Sequence, residues 1–342
     1  MAGTQSGAGS SADSNKSAGA PYDLIVKNGL VIDGTGEEPR VEDVAVKDGR
    51  IAARGPNLSA AGAGEVIDAQ GKWVTPGLLD IHTHFDLEVE LDPALSEAVR
   101  HGTTTVLMSN CSLGVVYGSQ RRNGEDPIVD CFARVENMPK PVLKKVADLA
   151  TWNSSAEYYE HLDDLPLGVN VAPMIPHSML RAEVMGLKES VTRDPSPEEM
   201  ARMEALLRTA MDEGYIGFST DALPFHFLAE DPNRRTKIPS QFGGYSELKR
   251  LTAILRERDR VWQATPPKDS PLAVFRNFLL TSGRLFGKPL NVTAVAAMDV
   301  ASNRSLKKLA LLLTSVFNSP VFKGNFRFQA LAARFKLYWD GP

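Results

Sequence analysis

With 342 residues, 43% of them hydrophobic, the chain can bury at least one large core. A formal net charge of -4, from 38 basic and 42 acidic residues, offers no basic stripe for nucleic acid and no polybasic patch for a membrane surface. No run of about 18 apolar residues reads as a spanning helix, and two cysteines, Cys111 and Cys131, are too few for a disulfide framework and fit a reducing, cytoplasmic compartment.

Residues 1–20 are rich in Gly, Ala and Ser, have no apolar stretch of the secretory kind, and read as a flexible tail. From residue 21 to 76 the texture is β: Asp23–Val26, Leu30–Ile32, Asp43–Val46 and Ile51–Ala53 are short apolar runs, with Val66-Ile67 and Lys72–Val74 after them. Asn28-Gly29, Asp33-Gly34 and Asp48-Gly49 supply the positive φ angles that type I′ hairpins require. The span predicts a small β-sandwich module.

From residue 77 to 342 strands alternate with helices. Leu78–Ile81 leads into His82; a helix over Pro93–His101 precedes the β-rich Thr103–Met108. The stretch from Ser112 to Asn153 is irregular, with short helices. Ser155–Leu162 reads as a helix before Val169–Ile175. The clearest helix starts at Ser196, where Pro197 suits the first helical position and Glu199 completes a capping box. Its Met200, Met203, Leu206, Leu207, Ala210 and Met211 share one face, and Gly214 ends it. Helices over Ser246–Arg258, Pro271–Phe286 and Arg304–Phe317 alternate with strands leading to Gln263 and to Val295.

Such alternation implies parallel strands joined by right-handed crossovers. Six of them end near residues 82, 109, 175, 219, 264 and 296, and a seventh starts after Val321. No glycine-rich phosphate turn follows the first strand, which argues against an open doubly wound sheet. The expected fold is α/β: a (β/α)8 TIM barrel, incomplete at its C-terminus, whose opened wall would expose an apolar edge.

His82-Thr83-His84 is the sharpest chemical signal. On an extended strand end, residues i and i+2 point the same way, so two imidazoles converge on one cation. In a barrel, the C-terminal strand ends form the active-site face. Cys111 ends the neighbouring strand, where a thiolate reaches the same ion; a lone strand-end Cys is otherwise a small buried apolar residue. Cys131 has no such context.

Thr75–His84, preceded by Lys27-Asn28-Gly29 and Asp48-Gly49-Arg50-Ile51, resembles the amidohydrolase superfamily. Gly102–Val106 and Ser109-Asn110-Cys111-Ser112 resemble its D-aminoacylase (N-acyl-D-amino-acid deacylase) branch. His177–Arg181 with Val184-Met185-Gly186, and Gly217–Thr220, are similar to further stretches of that branch, so the likeness runs from about Tyr22 to the C-terminus. The resemblance implies a divalent metal, zinc foremost, held by His82, His84 and Cys111. Such an ion polarises an amide carbonyl and lowers the pKa of water to about 7. It implies deacylation of a small-molecule N-acyl-D-amino acid, with no nucleic acid or membrane partner. His177 and Arg181 are candidates for the substrate carboxylate, since a guanidinium fork matches it. Asp221, after the fourth strand, is a third candidate for the pocket, whereas His226, between Phe225 and Phe227, reads as a packed loop residue.

Two departures bear on activity. The family holds metal with histidines at its fifth and sixth strand ends, where this chain has Gln263-Ala264-Thr265-Pro266 and Ala296-Ala297-Met298-Asp299. Gln263 and Asp299 offer oxygens, but a neutral amide is a poor zinc donor. The family's catalytic Asp on strand eight would lie beyond Pro342, so the resemblance implies a barrel cut short. A cyclic-amide (hydantoin- or dihydropyrimidine-type) hydrolase, or an inactive fragment of such an enzyme, are the alternatives.

Overall fold

The computed structural model describes residues 21–229, 232–266, 270–295 and 305–330, so the tail at residues 1–20 lies outside the described residues. The chain divides into two compact units between Gly77 and Leu78.

The first unit holds β1 (Leu24–Val31), β2 (Arg40–Lys47), β3 (Arg50–Gly55), β4 (Glu65–Asp68) and β5 (Trp73–Val74). The described residues place all five in one mixed sheet, ordered β3-β2-β1-β4 with β5 also on β1. Asp48-Gly49 makes the expected hairpin between β2 and β3, with φ of 51° and 70°. Asn28-Gly29 does not turn the chain. It forms a bulge inside β1, where the register to β2 shifts between Val26 and Gly29. The reason is side-chain capture: Asn28 N donates to Asp43 Oδ1 at 2.8 Å, and a Cβ on Gly29 would sit 2.3 Å from Val74 Cγ2. Glycine is needed there for close packing rather than for a turn.

The second unit alternates strands and helices. Its elements in order are β6 (Leu78–Asp80), α1 (Ser96–Arg100), β7 (Thr103–Met108), α2 (Pro127–Val135), α3 (Lys140–Ala147), α4 (Ser155–Asp164), β8 (Asn170–Pro173), β9 (Ile175–Pro176), α5 (His177–Met185), α6 (Leu187–Ser190), α7 (Pro197–Glu213), β10 (Gly217–Thr220), α8 (Tyr245–Arg258), β11 (Val261–Ala264), α9 (Pro271–Phe278), α10 (Gly283–Phe286), β12 (Asn291–Ala294), α11 (Ser305–Phe317) and β13 (Asn325–Phe328). Among the described residues, the named strands of this unit pair in parallel.

β8 and β9 are one predicted strand split at Met174, whose N–H still reaches Met108 O. The split passes the chain from the sheet β6-β7-β8 to the sheet β9-β10-β11-β12-β13. The path from β6 to β13 is therefore the strand sequence of a (β/α) barrel. Among the described residues it does not close, and Leu78 and Leu79 on β6 are 56% and 55% exposed.

The helices pack as their periodicity dictates. Ser196 and Glu199 form the reciprocal capping box, Gly214 stops α7 at φ 116°, and Met200, Met203, Leu207, Ala210 and Met211 are buried. Burying each large one stabilises by about 1.5–3 kcal/mol. Leu248, Leu251, Ile254 and Leu255 do the same for α8. The helix expected over Pro271–Phe286 breaks into α9, a 3-10 turn at Leu279–Thr281 and α10, because the Ser282 hydroxyl caps a fresh start at Leu285 N. Phe278, Phe317 and Phe326 seal this end, with Phe326 centroids 4.8 Å and 5.3 Å from the other two. No helix among the described residues is long and apolar enough to cross a membrane.

Candidate metal centre

Beyond Asp80 the chain leaves the strand, and His82–His84 run on without regular secondary structure. Thr83 turns into the protein, its N–H and hydroxyl both donating to Leu107 O at 3.2 Å and 2.7 Å. His82 and His84 flank this anchor. Their rings meet edge to face, centroids 5.4 Å apart.

Cys111 arrives from β7 on a strained loop. Ser109, Cys111 and Ser112 all have left-handed backbones, with φ of 63°, 50° and 67°. Such angles in non-glycine residues each carry roughly 1 kcal/mol or more and persist only where neighbours over-determine them. Here they do. Buried Asp86 takes Ser109 N at 3.0 Å and Ser109 Oγ at 2.5 Å. Asn110 Nδ2 donates to Thr83 O and Leu107 O, Cys111 N to Gln263 Oε1 at 2.9 Å, and Ser112 N to Ser219 Oγ at 3.1 Å.

The result is a three-donor cluster. The ligand atoms of His82, His84 and Cys111 lie within 4.8 Å of one another, and Cys111 Sγ is 3.3 Å from His82 Nε2. A tetrahedral ion with bonds of about 2.0–2.3 Å spaces its donors roughly 3.3–3.8 Å apart. Each ring also has a neighbour outside the three-residue group. His82 Nδ1 faces Gln329 Oε1 at 2.6 Å, and His84 Nε2 lies 3.3 Å from Glu136 Oε1. That leaves His84 Nδ1 buried with no hydrogen-bond partner.

Electrostatics point the same way. Burial pushes the His84 imidazole down to about 3, with the nearby rings of His82 and His226 adding to the effect. His82 is also lowered, chiefly by burial. Burial raises the Cys111 thiol far above its usual range, helped by the charges of Asp221 and Glu136. The imidazoles are thus neutral, the form that ligates metal, and the buried thiol ionises only with a cation beside it.

Asp221 is buried at the end of β10. Its carboxylate accepts Leu223 N at 2.8 Å and pairs with His226 Nδ1 at 2.7 Å. His226, for which packing in its loop was the favoured expectation over a ligand or a pocket wall, is paired with Asp221. Gln263 uses its oxygen to hold the Cys111 loop, and Asp299 lies outside the described residues. Cys131 is buried in α2, away from the cluster.

His177 and Arg181 require a correction. Both are fully buried and face Glu247: His177 Nε2 at 2.6 Å from Oε1, Arg181 Nη1 at 2.5 Å from Oε2. Arg181 Nη2 also donates to the carbonyls of Ser190 and Arg193. A guanidinium already paired and enclosed is not presented to a substrate carboxylate. Glu136 and Gln329 were not singled out from sequence. Each lies far along the chain from its histidine, and neither stands in a motif.

The amidohydrolase family model matches residues 65–262, a span that contains all three donors. The chain belongs to the amidohydrolase family. Relatives it resembles within that family include D-aminoacylases. It is 40% identical over 326 residues to an uncharacterized protein of Mycobacterium tuberculosis, covering 94% of this chain and 52% of that protein. It is 34% identical over 209 residues to the D-aminoacylase of Alcaligenes xylosoxydans xylosoxydans, covering 61% of this chain and 39% of the relative. The crystal structure of N-acyl-D-glutamate deacylase from Bordetella bronchiseptica, complexed with zinc and a phosphonate mimic of the tetrahedral intermediate, matches with a TM-score of 0.67. That match covers 90% of this chain and 58% of the other at 24% identity, a likeness of fold. The chain spans about half the length of the curated relatives it matches most fully.

Proposed function

We propose that this amidohydrolase binds a divalent metal, zinc foremost, through His82, His84 and Cys111, and contributes that centre to hydrolysis of the amide bond of an N-acyl amino acid of D configuration. One observation carries the reading: two neutral imidazoles and a thiol, from adjacent strand ends, have their donor atoms within 4.8 Å. The donor set suits a borderline-soft ion, since thiolate and imidazole together favour zinc over magnesium or calcium. The orphaned His84 Nδ1 fits the same group, because a buried nitrogen without a partner is costly unless something binds it.

When bound, such an ion supplies Lewis acidity toward the amide carbonyl and acidifies water. The residues of the chain do the rest. The Ser109–Ser112 loop fixes the sulfur, Thr83 anchors the segment between the two histidines, and Asp221 holds the His226 ring. The substrate class is supported by the relatives, which include N-acyl-D-aspartate deacylase and D-aminoacylase of Alcaligenes xylosoxydans xylosoxydans.

The test is zinc uptake followed by turnover. The purified, chelator-stripped chain is titrated with zinc, and the loaded protein is offered N-acetyl-D-amino acids, their L enantiomers and a cyclic imide. Stoichiometric uptake abolished by His82→Ala, with any hydrolysis confined to D substrates, is the expected result. Less than about 0.3 zinc per chain after reconstitution would overturn the metal assignment. Preference for the cyclic imide would overturn the substrate class.

A further inference from the structure

We propose that Ser240, His177 and Glu247 form a second catalytic centre, one that uses no metal: a serine nucleophile with its base and its acid, acting on small neutral esters. It stands apart from the metal cluster and does not depend on that reading.

Three elements bring the residues together. His177 opens α5, Glu247 lies in the first turn of α8, and Ser240 belongs to the 3-10 turn Pro239–Phe242. Glu247 Oε1 is 2.6 Å from His177 Nε2, and Ser240 Oγ is 3.0 Å from His177 Nδ1. A carboxylate only accepts, so the neutral ring carries its proton on Nε2 and offers the Nδ1 lone pair to the serine. Asp221 N donates to Ser240 Oγ at 2.9 Å, which leaves the hydroxyl proton for Nδ1. Burial lowers the His177 imidazole. Despite its own burial, Glu247 is held down to about 2 by the hydrogen bonds and charges of His177 and Arg181. Nucleophile, neutral base and ionised acid thus follow one another as in a serine hydrolase, with the roles of the two ring nitrogens exchanged.

The serine lines a cavity of about 160 Å³, walled by Leu248, Trp262 and Phe278 on its apolar side and by Thr265 and Asn277 on its polar side. A cavity of about 150 Å³ holds benzene, which sets the size of the acyl group. The Thr265 hydroxyl accepts Ala222 N at 2.7 Å and has its own proton to give to a developing oxyanion. Asp221 lines the same cavity, and its carboxylate disfavours an anionic substrate such as an N-acyl amino acid. The sheet separates this centre from the metal cluster. Phe218 meets the His177 ring at 5.2 Å, whereas Ser219, the next residue of β10, bonds the Ser109–Ser112 loop. Successive strand residues face opposite sides.

In the reaction, Ser240 Oγ bonds to the ester carbonyl carbon while His177 Nδ1 takes the hydroxyl proton. Collapse breaks the bond to the ester oxygen, the proton passes to the departing alcohol, and an acyl-serine remains. Water repeats the sequence, restoring the hydroxyl and releasing the acid.

The test treats the full chain, in excess chelator, with methanesulfonyl fluoride and assays it with p-nitrophenyl acetate, melting temperatures alongside. We expect one sulfonyl group per chain, on Ser240 by peptide mass spectrometry. Ser240→Ala should lose the label and about 100-fold or more in ester turnover, and His177→Gln should lose as much with the serine still present. Ala273→Leu, which narrows the cavity without touching the three residues, should slow both reactions. No label on Ser240 in the folded wild-type chain would overturn the proposal, whatever the variants do. So would ester turnover that Ser240→Ala leaves unchanged, or labelling of His177→Gln as fast as wild type. Because no metal takes part, failure here leaves the zinc assignment standing.

Discussion

Cys111 Sγ and His82 Nε2 stand 3.3 Å apart although 29 residues separate them along the chain. The contact exists because β6 and β7 are parallel neighbours, so the segments that follow them leave the sheet at the same end. Parallel pairing with one crossover between them turns a sequence gap into a coordination distance.

Replacing that sulfur tests the donor set directly. Cys111→Ser preserves the backbone donor to Gln263 and the size of the residue but removes the soft ligand. Zinc affinity should fall by more than the roughly 100-fold that loss of an outer partner can cost. The thiolate-to-cobalt absorption should vanish, while melting of the metal-free chain changes little.

Metal should also stabilise the fold. At a free zinc concentration of about 100 times Kd, binding contributes about 2.7 kcal/mol, which raises Tm by roughly 4 °C in a chain of this size. Calorimetry with and without chelator checks it. His84→Ala should abolish the zinc-dependent shift.

The strained loop makes a separate prediction. Asp86→Ala strips both hydrogen-bond acceptors from Ser109 and leaves buried groups unpaired, at a cost of about 1–3 kcal/mol. Urea unfolding should show that loss. Since Ser109 leads into the left-handed Cys111, zinc affinity should weaken as well. Unchanged affinity would mean that Cys111 holds its position without Asp86.

The His177–Glu247–Arg181 group sets an acid limit on stability. Burial alone would raise the Glu247 carboxyl, but the hydrogen bonds and charges of His177 and Arg181 hold it down to about 2. A folded value below the ordinary 4.5 means that the native chain binds fewer protons than the unfolded chain between the two. This carboxylate's contribution is therefore complete above pH about 4.5 and is lost as pH falls toward 2. Glu247→Gln leaves a buried guanidinium without its counter-charge, a loss of about 3–5 kcal/mol. Denaturation midpoints of the two proteins should differ most above pH 5 and converge as the pH drops.

What the sequence determined by itself was everything with a short period. The two-residue spacing of His82 and His84, the capping box of Ser196 and Glu199, the apolar face of α7 and the Asp48-Gly49 hairpin all depend on neighbours a few positions away. Strand–helix alternation likewise announced parallel strands. The tertiary structure alone decided the rest, because those choices are made by groups distant along the chain. Gln329 reaches His82 across 247 positions, and Gln263 reaches Cys111 across 152. Glu247, 66 residues on, claims Arg181 before any substrate can. Asn28-Gly29 has the residues of a turn yet lies in a bulge, since Asp43 captures its N–H and Val74 fills the space beside it. Backbone preference is local, whereas the partner of a buried polar group is settled only when the strands and helices have packed.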